Sequence, residues 1–134
     1  MADYAAIKAG LGTRLDAATN ISVVYNNAPE LIVTPCAIVL PGDTPAEYHQ
    51  AMQGLTKFEF KIVVMVQRFE SSANLSRLDE YVSGTQSIDT LIAADRTLGG
   101  AASDAYVVRC NTLGTMGTGD DTYLGAEFDV EVYA

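Results

Sequence analysis

Between Gly114 and Asp121 the chain reads GTMGTGDD, and a glycine-dense run of this kind can turn backbone N–H groups toward a phosphate. A phosphate loop also needs a Lys followed by Ser or Thr and a helix start just beyond. Here Asp120 and Asp121 lead into a strand-like stretch, so the segment reads as a hairpin loop. The two aspartates lack the twelve-residue alternation and closing Glu of a calcium loop and read as solvated turn acids. His49 is the single histidine, and a His-paired hydrolase would have to recruit Ser71, Ser76 or Ser103 with no GxSxG elbow to support it. Beside Tyr48 and Gln50, His49 reads as a contact residue. Cys36 and Cys110 stand alone in strand-like runs without CxxC or His spacing, and both read as buried free thiols. Cys110 alternates with Arg109 and Asn111, which puts it on the inward side of its strand. Arg68, Arg77, Arg96 and Arg109 are too dispersed for a nucleic-acid stripe. The residues point to no catalytic centre, no metal site and no cofactor.

The elements that carry these residues are clearer than any chemistry. Lys57 to Arg68 (KFEFKIVVMVQR) alternates strictly, placing Phe58, Phe60, Ile62, Val64 and Val66 on one face. The opposite face begins charged, with Lys57, Glu59 and Lys61, and turns apolar at Val63 and Met65. That half asks for cover from the N-terminal helix or from another chain. Leu124 to Tyr133 repeats the pattern, with Leu124, Ala126, Phe128, Val130 and Val132 inward and Glu127, Asp129 and Glu131 outward. Antiparallel pairing of the two strands would set acids opposite Lys57 and Lys61.

Asp3 can cap a first helix bearing Ala6, Ile7, Leu11, Leu15 and Ala18, in which Gly10 and Gly12 either weaken the helix or admit close packing. Short strands follow at Ile21–Tyr25 and Cys36–Leu40, the second fenced by Pro35 and Pro41 and expected to end at both. Pro41 to Thr56 reads as a long loop. A helix from Ser72 or Asn74 presents Leu75, Leu78, Tyr81 and Val82, and a second from Ser87 presents Ile88, Leu91 and Ile92, closed by Gly99 and Gly100. Tyr106–Leu113 is a further strand. Helix, three strands, helices, two strands is an α+β order. It predicts a mainly antiparallel sheet of about five strands, with an N-terminal helix and a two-helix insert packed on one face.

Length fits one domain over residues 1–134, and 49% apolar residues supply an ordinary core without Trp. Seventeen acids against eight bases give −9, and from Cys110 onward there are five acids and no base. Such a surface repels phosphate and argues against groove or backbone binding of nucleic acid. No apolar run reaches eighteen residues, and the start has no basic-then-apolar leader, so neither a membrane span nor a secretory signal is expected.

The amphipathic AAIKAGL, then AIVLPGD followed by EYHQAM, then KFEFKIVVMVQRFES, LDEYVSGTQSIDTLIAADRTLGG and finally TYLGAEFDVEVYA carry a resemblance over most of the chain. In their order and spacing the chain resembles tail terminator proteins of long, non-contractile-tailed bacteriophages, particularly those infecting actinobacteria. The run Gly114–Thr122 departs from that pattern. The resemblance implies a virion protein without enzymatic activity, located in the tail-neck region after assembly in the host cytoplasm. It implies a homo-oligomeric ring, usually a hexamer, that caps the tube of major tail protein, stops its polymerisation and offers a docking surface to the head-closure or connector protein. DNA would pass through the lumen without specific binding. A head-closure or head–tail joining neck protein is the alternative of the same kind; a small cytosolic ligand-binding module or hydrolase is the alternative of another. On the ring reading, Lys57, Glu59, Lys61, Val63, Met65 and Gln67 are candidate subunit-interface residues. Tyr48, His49, Met52, Thr115, Met116, Asp120 and Asp121 are candidate tube or connector contacts on two axially projecting loops, and Glu127, Asp129 and Glu131 are candidate lumen acids.

Overall fold

The computed structural model describes residues 3–27, 31, 33–48, 55–66, 72–118 and 121–134, with side chains left aside at 72–75, 115–118 and 121–122. Helix α1 (Tyr4–Asp16) leads into β1 (Val23–Tyr25), β2 (Cys36–Glu47) and β3 (Lys57–Val66). Helices α2 (Ser72–Val82) and α3 (Ile88–Ala93) and a 3-10 turn at Leu98–Gly100 follow, then β4 (Asp104–Thr118) and β5 (Asp121–Tyr133). The fold is α+β. Its one five-stranded sheet has the order β1-β2-β3-β5-β4, parallel only between β1 and β2 and antiparallel elsewhere.

Alternation decides which face is buried. Phe58, Phe60, Ile62, Val64 and Val66 of β3 share the helix-bearing face with Leu124, Ala126, Phe128, Val130 and Val132 of β5, all buried in one cluster. Ile7, Leu11, Leu15 and Ala18, along α1 and just past its end, pack into that cluster. Asp3 caps α1 by accepting from the N–H of Ala5 at 3.0 Å and of Ala6 at 3.2 Å. Gly10 is there for close approach: a Cβ on it would stand 2.8 Å from both Cβ and the carbonyl oxygen of Leu98. Ser87 caps α3 through the N–H of Thr90 at 3.1 Å, with Ile88, Leu91 and Ile92 buried below. Gly99 and Gly100 take φ of 73° and 97°, where a side chain is disfavoured, and turn the chain into β4. Of α2, Leu78 and Tyr81 are buried, and Tyr81 Oη donates to the Asn20 carbonyl at 2.7 Å. Val82 is 41% exposed, because one residue further around a helix leaves the apolar stripe.

Three sequence expectations are corrected. The strand at Cys36 does not stop at Pro41 but continues to Glu47, so much of the expected Pro41–Thr56 loop is strand. Among the described residues β1 flanks only Cys36–Ile38, so beyond that β2 has one open side, where proline is tolerated, and a register shift between Pro41 and Ala46 takes in Pro45 as well. Likewise the Gly114–Thr122 loop is largely strand: β4 and β5 stay in register from Thr112↔Glu127 to Thr118↔Asp121. Among the described residues no third strand flanks this pair beyond Val66↔Leu124, so there it stands as a two-stranded ribbon. Cys110 is exposed, whereas Cys36 is buried as expected. Cys110 does pair with inward Phe128, but among the described residues β4 is an edge strand, bulged at Val107/Arg109 and Cys110/Thr112.

Candidate functional site

The face away from the helices carries the charged residues. Lys61 Nζ lies 3.1 Å from Asp43 Oδ1 and 3.2 Å from Glu127 Oε1; Lys57 Nζ lies 3.3 Å from Glu131 and 3.5 Å from Glu59. Directly opposite Lys61 in the ladder is Asp129, yet Asp129 is held by Arg109 Nη1 at 2.9 Å, and the lysines reach diagonally to acids two positions along. Each candidate lumen acid therefore has its own cation. Acids still outnumber bases here: Asp43, Glu47, Glu59, Glu127, Asp129 and Glu131 against Lys57, Lys61 and Arg109. Hydrogen bonds to Asp43 and Glu127 hold the Lys61 ammonium above its ordinary pKa. Desolvation pulls Lys57 down, but bonding to and attraction by Glu131, with Glu47 and Glu59 beyond, leave it raised.

The outer face becomes apolar past Lys61. Val63 and Met65 form a second small cluster with Cys36 and Ile38, packed by Val23, Tyr25, Leu40 and Tyr123. Val63 is 9% and Met65 5% exposed, so side chains of this same face and this same chain cover them, while α1 lies on the other face. Burial among these neighbours pushes the Cys36 thiol up to about 11.

The expected contact residues fall into two groups at opposite ends of the sheet. Tyr48 follows Glu47, which pairs with Lys57 at one end. It is 69% exposed and lines a shallow groove with Tyr4, Leu55, Thr56, Phe58 and Ala134. Thr115, Met116 and Asp121 lie on the β4–β5 ribbon at the other end, about 30–40 Å away at the usual rise per strand residue. His49, Met52, Gln67 and Asp120 lie outside the described residues. Sequence reasoning missed Arg109, Asp43 and Leu113 as members of these surfaces. Arg109 and Leu113 sit on an edge whose bulges break alternation, and Asp43 sits in a stretch read as loop.

Among the described residues no three His, Cys, Asp or Glu side chains are placed to hold a metal ion, and no helix is long and apolar enough to cross a membrane. Although Cys110 is exposed, partial desolvation of its thiol by the surrounding chain raises its pKa, the opposite of an activated nucleophile. No protein-family model matches the chain, and no curated protein matches it.

Proposed function

We propose that the chain is a structural, non-enzymatic subunit of a phage tail, a terminator that joins with copies of itself in a ring, six-membered by resemblance, between the tail tube and the head connector. The observation that carries this reading is the separation of the two contact groups. Tyr48 stands at one end of a sheet about 30–40 Å tall and the Thr115–Asp121 ribbon at the other, so a subunit standing upright offers one group to the tube and one to the connector. Between them runs a face of ion-paired charge with an excess of acids, suited to a lumen wall that DNA slides past. In this arrangement Glu127, Asp129 and Glu131 line the channel. Lys57, Glu59 and Lys61 share that wall and meet a neighbour only where it curves into the next copy.

Electron microscopy of particles lacking this protein tests the reading. Termination predicts overlong tubes without heads; full heads leaking DNA beside tubes of normal length would assign the chain to head closure instead. Within the ring, replacing Glu127, Asp129 and Glu131 by Lys should slow ejection and retain DNA, and unchanged ejection would remove the lumen assignment.

A further inference from the structure

The sheet ends in two unlike edges. On one side no strand of the described residues lies beyond the fifteen-residue β4; on the other, none lies beyond the three-residue β1. Ladder rows cross the whole sheet between them. Val24, Ala37, Val64, Ala126 and Leu113 form one row, flanked by the rows Tyr25–Ile38–Val63–Glu127–Thr112 and Val23–Cys36–Met65–Gly125–Gly114. Thr112–Gly114 and Val23–Tyr25 thus stand at the same height on opposite edges. Bulges interrupt β4 between Val107 and Thr112, which blunts that part of the edge, but from Thr112 to Thr118 the register with β5 is unbroken. This is the stretch able to receive another strand.

Direction, face and polarity agree. β1 runs parallel to β2, and each later step across the sheet reverses direction, so β1 and β4 run oppositely. Two upright copies side by side would bring β4 of one antiparallel to β1 of the next, the geometry of an ordinary ladder. Row membership puts Leu113 and Val24 on the same, helix-bearing face. Leu113 is 52% exposed; at the other edge Val24 is partly buried and Leu31 and Val33 are 82% and 57% exposed, with the Val33 N–H on Tyr25 Oη at 3.3 Å. Charge is complementary too: the exposed cation of β4 is Arg109, whose row ends at Leu40, three residues from the strongly exposed Asp43.

We infer that copies of this chain join head to tail by antiparallel pairing of Thr112–Gly114 in β4 with Val23–Tyr25 in β1 of the next copy, setting Leu113 beside Val24. The contact is heterologous, so it closes into a ring when the rotation per copy allows it. It rests on the ring reading above and moves the main contact from the face of β3 to the two edges.

Disulfide trapping tests it in a Cys110→Ser background, which removes the exposed native thiol. Residues directly opposed in an antiparallel ladder have Cα atoms about 4.5–5.5 Å apart, within disulfide reach. The V24C/L113C chain should oxidise to a ladder of covalent multimers, while V24C and L113C alone do not. V24C/T112C, with its second thiol on the opposite face, should cross-link at least tenfold less. Efficient dimers from L113C alone would mean a two-fold contact and overturn the inference, as would a ladder no stronger than that of V24C/T112C. If the unsubstituted chain has a multi-copy mass and the ladder is absent, the edge contact falls and the ring stands. A ladder that never closes keeps the edge contact and removes the ring.

Discussion

Replacing Lys61 by Met tests the charged face directly. The ammonium serves Glu127 at 3.2 Å and Asp43 at 3.1 Å while the side chain keeps 26% exposure. The Asp43 side chain is 90% exposed, so its pair belongs at the weak end of the measured range for surface pairs, about 0.2 kcal/mol; Glu127, 23% exposed, belongs near the strong end, about 1 kcal/mol. Met keeps the aliphatic stem, so packing changes little. With Lys61 gone, Glu127, Asp129 and Glu59 face one another with less compensation, adding a few tenths. The expected loss is about 1–2 kcal/mol in urea unfolding at low salt. It should shrink by about half or more at 1 M salt, where the screening length falls from about 10 Å to about 3 Å. A cycle with E127Q should give a coupling of about 0.5–1 kcal/mol, and one with D43N less. The Lys61 pKa is raised in the folded state, so the contribution is complete below the unfolded value of about 10.4 and is lost as pH climbs through the higher folded value. K61M as stable as the unsubstituted chain, or a loss indifferent to salt, would refute this reasoning.

Gly10→Ala gains about 0.8–1 kcal/mol of helix propensity but drives a methyl to 2.8 Å from Leu98, an overpacking cost of about 1–3 kcal/mol; a net loss is expected in thermal melts, and a gain would contradict the tight α1 contact. Tyr81→Phe strands the part-buried Asn20 carbonyl and should cost about 1 kcal/mol by urea titration. Burial pushes the Tyr81 phenol up to about 12, so the folded chain holds a proton that the unfolded chain loses near pH 10; stability should be complete below about pH 10 and fall between about 10 and 12, less steeply in Y81F. Thiol titration of the native protein should modify Cys110 and leave Cys36 protected until unfolding, and equal rates would contradict the burial of Cys36.

Much of this architecture is legible where one physical pattern dominates. Period-two alternation specifies the inward faces of β3 and β5 because both are interior strands with helices on one side. The Asp3 and Ser87 caps and the order of elements follow from short-range signals as well. What stays hidden depends on neighbours in space. Pro41 reads as a stop until β2 is known to be an edge beyond Ile38, and the glycines of β4 read as a loop until Thr112–Thr118 is seen in register with β5. Cys110 reads as buried because alternation says nothing of two bulges or of a place on the sheet edge. Val63 and Met65 look uncovered until Tyr25, Leu40 and Tyr123 are brought over them. The candidate lumen acids are visible as a stripe, but their pairing with Lys61, Arg109 and Lys57 depends on strand register and on which diagonal each cation takes.

On the proposed reading, copies of this chain close around the end of a tail tube. Native mass measurement of the purified protein, alone and after capture on isolated tube ends, tests it most directly. Ring closure gives a particle of several copies, six by the resemblance, at least on the tube end, and L113E loses it. A chain that remains a single copy in both settings would contradict it.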